Sequence, residues 1–187
     1  MKRAGKRVRR ALPALLLALV LTVGISAAVC RVSLKTTEYT AAVRGLTAPL
    51  RTVVLSDLHS REYGKDNAAL LARVAQQQPD AIFCVGDFID SDAAPEQLQR
   101  LYQLLRRLGE IAPVFFSPGN HEITYMESHG SELLDAVAAT GATVLYDRWV
   151  QTTLGGAAVR IGGSCGHFRD INRSAKLDYA MEETIGA

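Results

Sequence analysis

The sequence predicts an α/β domain, a sheet of parallel strands covered by helices, preceded by an apolar N-terminal segment. Two observations predict it. Short runs rich in β-branched and aromatic residues, TVVLS, AIFCV and PVFFS, alternate with longer stretches whose leucines recur at helical spacing. The order strand, helix, strand, helix, strand implies right-handed crossovers and parallel pairing. At 187 residues the chain suits one domain with a proper core rather than two.

The first ten residues form a basic tail in which Lys2, Arg3, Lys6, Arg7, Arg9 and Arg10 are clustered. Residues 11–29, ALPALLLALVLTVGISAAV, are nineteen in a row without a charge, and a helix of about twenty residues crosses the hydrocarbon of a bilayer. This stretch is read as a transmembrane signal-anchor. A cleaved signal peptide, suited by the small residues of ISAAVC, and a buried core helix are the competing readings. Because only Arg31 and Lys35 follow closely, the basic excess places the N-terminus in the cytoplasm. The expectation is a single-pass protein of the cell membrane, with the domain of residues 30–187 on the outer face.

After the anchor, residues 31–43 (RVSLKTTEYTAAV) alternate enough to read as a strand, and LRTVVLSD reads as a second. Asn67 to Gln78 carries Leu70, Leu71 and Val74 at helical spacing, and Pro79 stops it before the strand AIFCV. Pro95 to Leu108 repeats this pattern, with Pro95 suited to the first turn and Gly109 to the end. The strand PVFFS follows. Ser131 to Ala139 is read as a third helix, capped by Ser131 and closed by Gly141, and ATVLY as a further strand. VQTTL, the turn Gly155-Gly156 and AAVRIGG read as a β-hairpin.

Composition narrows the function classes. With 48% apolar and 21% charged residues the chain is an ordinary globular one, which excludes disorder for most of its length. The net charge of +2 arises because the N-terminal tail supplies six of the positive charges while the remainder is slightly acidic, so bulk charge supports no nucleic-acid-binding surface. Cys30, Cys84 and Cys165 are odd in number and widely spaced, which suits neither a disulfide framework nor a zinc knuckle. Neither a G-x-G-x-x-G turn nor a G-x-x-x-x-G-K-[ST] loop is present, which argues against a nucleotide-binding doubly wound domain.

Three polar clusters stand where three strands end: Asp57 and His59 after TVVLS, Gly86 and Asp87 after AIFCV, and Gly119, Asn120, His121 and Glu122 after PVFFSP. In open α/β sheets ligands gather beyond the carboxyl ends of the strands. Any one cluster reads as an ordinary turn; three in matching positions read as one site. Carboxylates, imidazoles and an amide oxygen are the donor set of divalent transition metals. Two such ions about 3.5–4 Å apart can share a carboxylate and a hydroxide that attacks phosphorus in line with the leaving group. Asp87, from the middle strand, is the candidate to bridge them.

SDLH, GDFID and GNHE, in this order and about thirty residues apart, resemble the first three motifs of the calcineurin-like metallophosphoesterases. The resemblance runs from about Thr36 to at least Gly163, and the anchor followed by LRTVVLSDLH is similar to a bacterial membrane-bound branch. It implies two facing sheets with helices outside (αββα) and the hydrolysis of phosphate mono- or diesters at two divalent ions, manganese, iron or zinc. It implies that Asp57 and His59 bind the first metal, that Asp87 bridges both, and that Asn120 binds the second. His121 would be the catalytic histidine that protonates the leaving oxygen or steadies the transition state. Ser56, Gly86, Asp90, Gly119 and Glu122 belong to the motifs as supporting groups, with Gly86 and Gly119 making tight turns. The anchor suggests a lipid- or envelope-linked phosphoester substrate.

The family pattern continues with a lone histidine after a later strand and a Gly-His-x-His loop, neither of which is recognisable here. His167 lies where a variable loop is due, and His129, at the approach to a helix, reads as a solvated cap. The first metal keeps Asp57, His59 and Asp87, and the second only Asp87 and Asn120. KLDYAMEETIGA reads as a helix ending where a strand is due, so the fold is expected to be incomplete at its C-terminus. The alternative is a non-catalytic, membrane-tethered protein that binds one metal or a partner.

Overall fold

A computed structural model describes residues 16–17, 19–24, 33–43, 45–46 and 48–164. The chain divides into two compact units, residues 1–40 and residues 41–187. In the first, residues 16–17 and 19–24 are helical with exposed side chains. The rest of the apolar stretch 11–29 lies outside the described residues. Among the described residues no helix is long and apolar enough to cross a membrane.

The strand expected over residues 31–43 is not formed among its described residues, 33–43. Its alternation offers β-branched residues but little to bury: Tyr39 is 90% exposed, and only Leu34 of these residues is half-buried. A strand holds when its backbone pairs and one face is covered, and among the described residues 33–43 forms no such pairing and stays exposed on both faces apart from Leu34.

The second unit starts its regular structure at β1 (Thr52–Leu55), followed by a 3₁₀ turn (Lys65–Asn67) and helix α1 (Ala68–Gln76). Strand β2 (Ala81–Val85), helix α2 (Pro95–Gly109) and β3 (Val114–Ser117) come next. Two helices, α3 (Asn120–His129) and α4 (Glu132–Ala138), lead to the short β4 (Thr143–Val144), and β5 (Arg148–Leu154) and β6 (Ala157–Gly163) complete the described fold. The strands β1-β2-β3-β4 lie side by side in that order, all parallel. Parallel pairing follows from the alternation with helices, because each strand must be re-entered from the same end.

Register gives the sheet two faces. Val53, Ile82 and Val114 are paired in a row, as are Leu55, Cys84 and Phe116. This face is covered by the helices, with Ile82, Cys84, Phe116, Leu105, Leu108 and Val137 at or near zero exposure. Helix α2 reaches it with Leu101, Leu104, Leu105 and Leu108, one stripe at 3–4-residue spacing. Pro95 opens α2, and the Gln97 side chain accepts the Ala94 N–H at 2.7 Å, satisfying a backbone group that a helix start leaves over.

The opposite face meets the β5-β6 hairpin. Ala81, Phe115, Leu145 and Leu154 form a buried cluster, with Leu50, Phe83, Val150, Val159 and Ile161 packed against it. Gly155 and Gly156 join the hairpin strands, both at positive φ (53° and 84°), as a two-residue type I′ turn requires. A Cβ on Gly163 would meet Leu145 and lie 3.0 Å from Ser117 Oγ, so the chain leaves the hairpin beside the end of β3. Helices, parallel sheet and hairpin make three layers. Among the described residues no helix covers the outward hairpin face, whose Trp149, Gln151, Thr153 and Arg160 are exposed.

Two helical details depart from expectation. Ser131 stands before α4 but its side chain makes no cap hydrogen bond; its carbonyl takes the Leu134 N–H at 3.0 Å instead. Helix α3 was not anticipated, because NHEITYMESH has no clear apolar stripe and buries only Glu122 and Ile123. What holds its first turn is polar.

Candidate metal centre

The three motif loops leave β1, β2 and β3 at the same edge of the sheet, since the strands are parallel neighbours. The first two loops extend the strand pairing past the sheet. The N–H groups of Asp57, His59 and Ser60 donate to the carbonyls of Gly86, Asp87 and Phe88 at 3.1, 2.9 and 2.8 Å. In this extension Asp57, His59, Ser60 and Asp87 all adopt left-handed φ (57°, 47°, 56° and 57°). Such residues cost on the order of 1–3 kcal/mol each and persist where the surroundings over-determine them.

The second and third loops touch through glycines. A Cβ at Gly86 would run into the Gly119 backbone, and one at Gly119 would lie 2.7 Å from the Asp87 nitrogen and against its carboxylate. Gly86 is at φ 84° and Gly119 at −90°. Gly86 therefore serves both a left-handed turn and close approach, whereas Gly119 is required by close approach alone.

On this framework the candidate ligands converge. A carboxylate oxygen from each of Asp57 and Asp87 and a ring nitrogen of His59 lie within 4.8 Å of one another. Asp57 Oδ1 and His59 Nε2 are 4.0 Å apart, a separation that two ligands each about 2.1 Å from one ion can span. The donor set, oxygen and imidazole nitrogen on rigid loops, fits a divalent transition metal. His59 Nδ1 lies 2.9 Å from Asp90 Oδ1. With Nδ1–H donating to this carboxylate, Nε2 keeps its lone pair for an ion. Ser56 Oγ donates to Asp57 Oδ2 and also lies 3.3 Å from the Val85 carbonyl.

Helix α3 presents the remaining candidates. Asn120 opens it and is exposed. The His121 N–H donates to Asp87 Oδ1 at 3.0 Å, and its ring stands edge-on to that of His59, centroids 4.8 Å apart. One nitrogen of each imidazole and an oxygen of Asp90 again lie within 4.8 Å of one another. His121 Nδ1 is buried without a partner among the described residues.

The sequence reading left two contributors as supporting groups without a task. Asp90 steers His59. Glu122 is fully buried and accepts four backbone N–H groups, from Asp87 (2.8 Å), Phe88 (2.7 Å), Ile89 (3.1 Å) and Gly119 (2.8 Å). The signal that could have found it was its place three residues after Gly119, half of a capping box. His129 ends α3, exposed and stacked on Tyr125, with Nδ1 3.0 Å from the Tyr125 carbonyl, in keeping with a solvated helix end. Cys84 is fully buried, and burial raises its thiol pKa, which leaves it inert. Cys30, Cys165, His167 and the final stretch KLDYAMEETIGA lie outside the described residues.

A family model described as calcineurin-like phosphoesterase matches residues 50–179 of the chain. The match covers all three loops and the hairpin. No curated protein matches the chain at a significant level.

Proposed function

The chain belongs to the calcineurin-like phosphoesterase family, and from that membership we propose that it hydrolyses phosphate mono- or diesters with two divalent metal ions. The observation that carries the proposal is the cluster of Asp57, His59 and Asp87, three donors within 4.8 Å of one another at the carboxyl ends of neighbouring strands. In this reading Asp57, His59 and Asp87 would hold the first ion, and Asp87 and Asn120 would hold the second. When bound, the ions supply Lewis-acid polarisation of the phosphoryl group and a water activated at neutral pH. The protein's own part is placement. Asp90 fixes the His59 ring, and the His121 N–H fixes one oxygen of Asp87. In this reading the His121 side chain, beside His59, protonates the leaving oxygen or steadies the transition state.

Manganese, iron and zinc all suit mixed oxygen and nitrogen donors. Activity is tested with p-nitrophenyl phosphate and bis(p-nitrophenyl) phosphate across a titration of each metal. Asp87→Asn removes the shared charge, and turnover should drop by at least about a hundredfold; turnover near the wild-type level would sink the bridging assignment. A second reading, a tethered protein that holds one ion without catalysis, is favoured by the second ion having only Asp87 and Asn120 among the described residues. A metal content of one ion per chain with no turnover on either probe would select it.

The uncharged stretch 11–29 is proposed to tether the domain to the outer face of the cell membrane, which would place it near lipid- or envelope-linked phosphoesters. Recovery of the full chain in the soluble fraction after lysis without detergent would reject the tether.

A further inference from the structure

We propose that Glu122 is a positioning residue that sets the spacing between Asp87 and Asn120, and hence the capture of the second metal ion. The inference rests on the two-metal reading above. Its basis is that one carboxylate spans two loops. Oε1 accepts from Phe88 and Ile89, and Oε2 from Asp87 and Gly119. Three of these donors belong to the β2 loop and the fourth to the residue before Asn120. Four N–H donors converge on a side chain of zero exposure, a setting that acceptor oxygens satisfy.

The consequence for the ligands is direct. Asp87 has its own N–H tied to Glu122 and its Oδ1 to the His121 N–H, so both ends of the bridging residue are referred to the first turn of α3. Asn120 lies in that turn. A shift between the β2 loop and α3 would therefore move Asp87 and Asn120 apart. It would leave Asp57 and His59 in place, because they are tied to the carbonyls of Gly86 and Asp87. Gly119 admits this contact, having no Cβ to collide with Asp87. Glu122 itself touches neither ion nor substrate in this scheme.

The test compares Glu122→Gln and Glu122→Asp with the wild-type full chain. Gln keeps the shape but turns an amide nitrogen toward two N–H donors, whereas Asp keeps both acceptor oxygens on a shorter arm. Manganese binding is followed by electron paramagnetic resonance, turnover by p-nitrophenyl phosphate hydrolysis over a manganese series, and folding by circular dichroism. The expected order of affinity for the second manganese is wild type, then Asp, then Gln. The loss for Gln should be about 10- to 100-fold, the first manganese should be held as before, and kcat should be largely recovered at saturating metal.

Wild-type affinity for both ions in folded Glu122→Gln would overturn the proposal. If Gln does not fold, the Asp variant carries the comparison by the same criterion. Loss of the fold in both, unrelieved by manganese, also overturns it, because Glu122 would then hold the domain rather than the ligand pair. Failure of the two-metal reading looks different: the wild-type chain itself would bind at most one ion at saturating manganese, and both Glu122 variants would hold that ion as the wild type does.

Discussion

His59 is hydrogen-bonded at one nitrogen and turned toward Asp57 with the other. Its Nδ1 meets Asp90 at 2.9 Å while Nε2 faces Asp57, so Asp90 selects the tautomer that can bind an ion. Asp90→Asn keeps the size but lets the amide point either way. The expected result is a 10- to 100-fold loss of metal affinity with little change in melting temperature, measured by manganese titration and thermal unfolding; unchanged affinity would remove Asp90 from the site. The clustering of the candidate residues was legible in the sequence because SDLH, GDFID and GNHE each follow a run of β-branched and aromatic residues. The tasks of Asp90 and Glu122 were legible only in the local half of Glu122, its capping of Gly119, because Asp90 acts on a partner 31 residues away and Glu122 on three others 33 to 35 away, and only the pairing of β1, β2 and β3 brings those partners together. Cys84 was legible as a core residue, since its neighbours AIFCV are apolar on both sides.

Among the elements, α1 and α2 could be read from their leucines, while α3 could not. Helix α3 carries no apolar stripe and is pinned at its start by Glu122 and by the close contact of Gly86 with Gly119. Those are tertiary facts with little local signal. The strand expected over 31–43 is not formed among residues 33–43 for the opposite reason: the local signal is present, yet among the described residues of this stretch only Leu34 is half-buried. Gly119→Ala tests the close contact, since the added Cβ would press on Asp87. It should cost about 1–3 kcal/mol of stability and reduce metal-dependent turnover at least tenfold, by thermal unfolding and initial-rate assay. Gly109→Ala is the control, because a Cβ there meets nothing within 4 Å, and it should change neither beyond a few tenths of a kcal/mol. Equal behaviour of the two variants would refute the contact.

At the scale of the molecule, the alternation of strands and helices declared the parallel sheet, and Gly155-Gly156 declared the hairpin. That the hairpin packs on the face bearing Ala81 and Phe115 was beyond local pattern, since either face of the sheet is apolar. The left-handed residues 57, 59, 60 and 87 set a stability debt that bound metal can offset, because an ion that binds only the folded chain stabilises it by mass action. Manganese at a hundred times its dissociation constant should add about 2.7 kcal/mol to unfolding, seen as a raised thermal midpoint; a midpoint indifferent to manganese would speak against a preformed site. Because β1, β2 and β3 each contribute one loop, no pair of neighbouring strands holds the whole ligand set. The sheet's parallel order makes these contacts distant along the chain and late to form. Metal capture is thus a clock for folding: in a refolding experiment the full manganese signal should rise with the docking of β3, and never ahead of it.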